Sequence, residues 1–124
     1  MKKLLLSLLV VTVVGCSAIP TVSFYDENES MGITNVTARV EFIDCESKQL
    51  KKQLRSIDFH VEWMKQYSSA KGSQDVYDMM VIMDETLEGL LEKDLVSPAY
   101  CKIKKRNLQT QGKLAAEAIM GRFG

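Results

Sequence analysis

Residues 46–69 read ESKQLKKQLRSIDFHVEWMKQYSS, and this stretch decides the fold. Leu50, Leu54, Ile57, Val61 and Met64 recur at spacings of three and four, which places them along one side of an α-helix. Lys48, Lys51, Lys52 and Arg55 fall on the polar side. Phe59, Trp63 and Tyr67, at i, i+4 and i+8, add a second apolar stripe. A helix with two apolar faces is flanked on two sides. The pattern predicts an all-α domain, a bundle of three or four helices. The aromatic stripe has two readings, core or an exposed anchor patch for a partner.

Upstream, the seam continues backwards through Ile43, Val40, Val36 and Ile33, broken at Ser47. The same residues also carry a strand signal, because Val36, Ala38, Val40 and Phe42 alternate with Thr37, Arg39 and Glu41. Helix is favoured for 31–45 because the three-four spacing persists. An interruption falls near Asp44, which is placed to cap a helix restarting at Glu46.

Downstream, SSAKGS at 68–73 is a loop, and Ser73 can cap the next helix. That helix covers residues 74–95, with a seam of Val76, Met80, Met83, Leu87 and Leu90 widened by Met79, Ile82, Leu91 and Leu95. Its remaining surface is acidic. Met79, Met80 and Met83 either fill an irregular core or form an adaptable binding surface. Val96-Ser97-Pro98 ends this helix. Ser97 is the N-cap of the last one, because proline suits a first helical turn and restricts the residue before it. The last helix, residues 99–120, brings Cys101, Leu108, Gly112, Ala115 and Ile119 to one side and a basic run, Lys102 to Lys113, to another. An acidic helix beside a basic one suggests antiparallel neighbours whose charges guide register; each exposed pair adds only about 0–1 kcal/mol.

The N-terminus speaks to compartment. Lys2 and Lys3 precede an apolar run from Leu4 to Val14. The run has the length of a signal-peptide core and is too short to span a bilayer, which takes roughly 20 residues. It ends in Val13-Val14-Gly15-Cys16, which resembles the lipobox of bacterial lipoproteins. The resemblance implies cleavage before Cys16 and acylation, including palmitate, on that residue; several chains anchor stably where one is marginal. Ser17, where an Asp would signal inner-membrane retention, implies sorting to the outer membrane, facing the periplasm. The expected organisation is a signal peptide over 1–15, a lipidated tether over 16–30 and a helical domain over 31–124.

Compartment then constrains the cysteines. With Cys16 lipidated, Cys45 and Cys101 remain. An oxidising periplasm favours a disulfide between them, with roughly 3–4 kcal/mol of stabilisation in the chain-entropy model. The chain has 16 basic and 16 acidic side chains. Without Lys2 and Lys3 it has 14 against 16, a net −2, which argues against nucleic acid as a partner. The sole histidine, His60, lies between Asp58 and Glu62, but residues at i and i+2 point apart on a helix. No nucleophile, phosphate-loop or zinc motif is present. The chain is therefore expected to use no metal or cofactor and to be no enzyme.

Leu90-Leu91-x-x-Asp94, Pro98-x-x-Cys101 and Arg106-x-Leu108 resemble the helical pilotins of type II secretion, over about 20 residues. The chain departs from that pattern at Cys45, which precedes the helix over 46–69 rather than closing it. The resemblance implies a groove between helices that receives a segment of an outer-membrane secretin. Two function classes emerge. One is a lipid-anchored adaptor or assembly module that binds another envelope or secreted protein through Phe59, Trp63, Tyr67, Met79, Met80 and Met83. The alternative is an immunity, inhibitor or exclusion lipoprotein that blocks a toxin, enzyme or receptor.

Overall fold

A computed structural model describes residues 24–123. Residues 1–23, with the expected signal peptide and Cys16, lie outside the described residues. Four helices run in order: α1 (Glu27–Glu41), α2 (Leu50–Lys71), α3 (Gln74–Leu91) and α4 (Pro98–Met120), with a terminal 3-10 turn, Gly121–Phe123. Each packs on its neighbours in sequence and α1 closes the ring against α4. Short connections make neighbours antiparallel, so the arrangement is an up-down-up-down bundle. The start of α1 meets the end of α2 through Asn28 and Tyr67. The end of α1 meets the middle of α4 through Glu41 and Gln109.

The seam read from the sequence is the core. Ile33, Val36 and Val40 of α1 meet Leu54, Ile57, Val61 and Met64 of α2, the α3 seam, and Leu108, Ala115 and Ile119 of α4, all buried. Residues 31–41 are helix; the strand alternative fails because the three-four periodicity has partners on both sides to bury it.

Helix α1 begins earlier than expected. Asp26 caps it, accepting from the backbone N–H of Asn28 at 2.7 Å and Glu29 at 3.3 Å. Glu27–Ser30, read as tether, are helical. The interruption after α1 is also longer than expected. Asp44 does not cap α2; its Oδ1 accepts from the N–H of Glu46 inside the loop, and α2 starts at Leu50. Cys45 stands in that loop and bonds to Cys101 in the first turn of α4, Cα to Cα 5.6 Å. The expected clip is therefore present, from loop to helix.

Two glycines set close geometry. Gly72 ends α2 in the left-handed region, φ 85°. Gly32 lets α1 approach α2: a Cβ there would collide with Met64 Sδ and touch the Trp63 ring. Pro98 opens α4 behind Ser97, whose Oγ accepts from Tyr100 N–H at 3.2 Å. Helix α3 stops at Leu91, short of the expected 95, and Leu95 is exposed. The acidic α3 and the basic α4 are antiparallel neighbours as expected, but their charges do not meet in direct pairs. Among the described residues, no ion pair joins the acids of α3 to Lys102–Lys113. Asp84 pairs with Lys65 of α2, and Asp75 with Arg122. The long cations of α4 turn elsewhere, Lys105 to the Ile43 carbonyl and Lys104 over the Tyr100 ring.

Candidate functional site: a groove between the first two helices

The aromatic stripe of α2 lies outside the core. Phe59 is 68% exposed and Trp63 44%. The Trp63 ring stacks on Tyr67, centroids 5.1 Å apart, and the Tyr67 hydroxyl donates to Asp26 at 2.8 Å. That bond, with the Asn28 and Glu29 backbone donors and the nearby Lys71 cation, holds the Asp26 carboxyl below its usual range. Trp63 is thus pinned on one face by Tyr67 and the start of α1.

Across from this stripe, α1 presents Asn28, Met31 and Asn35. With Gly32 as floor and Phe59, His60 and Trp63 as the far wall, they enclose a hollow of about 340 Å³. Met31 is 69% exposed. His60 is half-buried, its Nδ1 2.8 Å from the Ser56 carbonyl oxygen. One turn further along, Arg39, Phe42, Gln49, Lys52, Gln53 and Ser56 enclose a second hollow of about 590 Å³. Arg39 Nη1 donates to Ser56 Oγ at 2.9 Å and crosses between the two. The two hollows follow one another along the groove between α1 and α2, share no lining residue, and have the Arg39–Ser56 bond between them.

Of the other expected surface residues, Met80 and Met83 are fully buried and Met79 half-buried. Met80 and Met83 hold seam positions on α3, where an unbranched thioether fills the irregular space between four helices, and Met79 packs against the edge of that core. Phe59 and Trp63 do share a groove wall, with Tyr67 behind it. Met31, Phe42 and Arg39 complete it, and they were not expected there. Their signal was the helical period of 31–42, which sets exposed Met31 and Phe42 off the buried seam.

A second cluster also went unanticipated. Asp58 and Glu62 of α2 and Asp84 of α3 bring carboxylate oxygens within 4.8 Å of one another. Lys65 donates to Glu62 at 3.0 Å and to Asp84 at 3.3 Å. Asp58 Oδ1 is buried without a hydrogen-bond partner. Its burial, then the Asp84 carboxylate beside it, push its pKa up to about 6. Divalent cations take oxygen ligands of this kind, but the Lys65 ammonium already supplies positive charge to two of the three.

The third polar feature is the buried Glu29. Its Oε1 accepts from Lys71 at 2.6 Å, Arg122 at 2.8 Å and Ser73 at 3.1 Å, and its Oε2 from Ser68 at 2.9 Å. Ser73, the expected cap of α3, makes no side-chain cap bond because its hydroxyl serves Glu29. The sequence carried a cue here, Asp26 followed three residues later by Glu29, the spacing of a helix start.

No family model, curated protein or solved structure matches the chain. Among the described residues, no helix is long and apolar enough to cross a membrane.

Proposed function

We propose that this protein is a lipid-anchored module of the bacterial envelope that works by binding another protein. In this reading Cys16 carries the acyl chains, the protein sits on the periplasmic side of the outer membrane, and the bundle is an adaptor or assembly factor. One observation carries the binding role: the α1–α2 groove keeps Met31, Phe59 and Trp63 partly in water. Bulky apolar side chains gathered in a concave surface are the usual anchors of protein recognition. The disulfide favours the same compartment, because such bonds persist where the surroundings are oxidising.

The chain also presents its groove suitably. The Lys71 ammonium bonds the Phe24 carbonyl, so a tether leaving from Phe24 starts at the bundle end that holds Gly72 and Arg122. From Cys16 to Phe24 it reaches at most about 30 Å. The groove then runs away from the anchored end. Replacing Cys16 by Ser tests the reading: the variant should incorporate no labelled fatty acid and should leave the membrane fraction. Affinity capture of the anchored protein from envelopes should return a specific partner. A variant that stays membrane-bound, or a capture without any partner, would refute it.

A further inference from the structure

We infer that the α1–α2 groove receives an acidic peptide segment of the partner, its bulky apolar side chains over Met31, Phe59 and Trp63 and its carboxylates toward Arg39 and Lys52. This deepens the binding-module reading and rests on it. Charge selects the occupant. None of the residues lining either hollow is acidic, whereas Arg39 and Lys52 both line the larger one. Asp44 and Glu46 stand in the adjoining loop and line neither.

The end of the groove at Lys52 is also the start of α2, and that start is electrostatically unbalanced. Its first turn holds no acid, and Gln49 makes no side-chain cap bond. Lys48, Lys51, Lys52 and Arg55 add cationic charge where the helix dipole is already positive. By contrast α1 carries Asp26, Glu27 and Glu29 at its start. A carboxylate from outside would supply at α2 what Asp26 supplies at α1.

Anionic lipid offers the same charge, but the geometry disfavours it. The basic end lies opposite the bundle end at Phe24, away from the point where the proposed tether begins. The apolar side chains also line a hollow between two helices rather than a convex face. A peptide side chain enters such a hollow; a bilayer surface does not.

The test uses the full lipidated chain. A photoreactive p-benzoylphenylalanine in place of Phe59 is activated in cells, and the cross-linked segment is mapped. The same probe in place of Leu114, exposed on α4, is the control. The mapped segment is then synthesised without tryptophan and titrated into the protein on phosphatidylcholine vesicles. Trp63 is the chain's single tryptophan, so its emission reports the groove directly.

The expected result is a segment rich in Asp or Glu with bulky apolar residues, and a saturable blue shift of Trp63. Lys52→Glu should weaken its binding about five- to tenfold. Phe59→Ala should weaken it further, and neither exposed substitution should move the unfolding midpoint. A mapped segment without acidic residues, unchanged affinity in Lys52→Glu, cross-links to lipid, or cross-links to a second copy would each overturn the assignment. A partner captured from Leu114 and not from Phe59 would remove the groove while sparing the binding-module reading. Capture from neither position would remove both.

Discussion

Glu29, in the first turn of α1, and Arg122, in the 3-10 turn after α4, meet at 2.8 Å and join the two ends of the described chain at one end of the bundle. Glu29 is fully buried and Arg122 nearly so. Lys71, Ser68 and Ser73 fill the remaining sites on the carboxylate. One side chain therefore joins α1, the end of α2, the start of α3 and the chain terminus. Removing a partner from a buried pair costs about 3–5 kcal/mol, because the remaining charge is left uncompensated. Glu29→Ala removes the buried carboxylate that both cations share, leaving Arg122 with the exposed Asp75 and Lys71 with Asp26 and the Phe24 carbonyl, and should lose an amount toward the lower end of that range. Arg122→Ala leaves Lys71 on Glu29 and should lose less. Thermal unfolding of the two variants tests the order; equal losses would mean that Lys71 does not neutralise Glu29.

Asp58 gives the fold a dependence on pH. A carboxyl at about 6 when folded, against an ordinary 3.8, binds its proton more readily in the native state than in the unfolded one. Asp58 therefore contributes stability as pH falls from 6 toward 4 and withdraws it as pH rises through that window. The full shift corresponds to about 3 kcal/mol; solvent at the cluster and the Lys65 cation reduce this to about 1 kcal/mol. Asp58→Asn should raise the unfolding midpoint at pH 8 by roughly 4 °C and leave it near wild type at pH 4. A variant with no gain at pH 8 would show that the carboxylate is not strained.

The Cys45–Cys101 bond closes a loop with a sequence separation of 56 residues. Its reduction should cost roughly 3–4 kcal/mol by freeing the unfolded chain. Urea unfolding with and without a reductant, compared with Cys45→Ser, measures this. The bond joins the α1–α2 loop to α4, so loss of protection from hydrogen exchange should begin in residues 42–49. Uniform loss would contradict this placement.

Gly32 and Gly72 should respond to alanine for different reasons. At Gly32 the new methyl group meets Met64 and Trp63, so α1 must move away, at a cost of about 1–3 kcal/mol. Trp63 emission should shift with it. At Gly72 nothing lies within 4 Å, and the cost is about 1 kcal/mol of left-handed backbone strain, with Trp63 unaffected. Urea unfolding and the emission spectrum, read together, separate the two.

Periodicity determined that the chain is helical and where its seam lies, and cap chemistry that Ser97 and Pro98 open the last helix. Those are local properties, because a three-four spacing and a cap act within a few residues; the Cys45–Cys101 pair was expected only by setting Cys16 aside on the lipobox resemblance. The early start of α1 was also written locally, in Asp26 and Glu29, but it was masked by the polar composition of DENES, which reads equally as tether. Three features were decided only by tertiary packing. Met80 and Met83 entered the core while Phe59 and Trp63 stayed at its edge, although all four are apolar and at helical spacing. Glu29 was taken into the interior because cations from 42 and 93 residues away arrived to neutralise it. Asp58 gained its proton affinity from burial where α2 meets α3, and then from Asp84 on that other helix. In each case the energy depends on which helix stands opposite, and that partner is set by the closing of the ring rather than by neighbours in the chain.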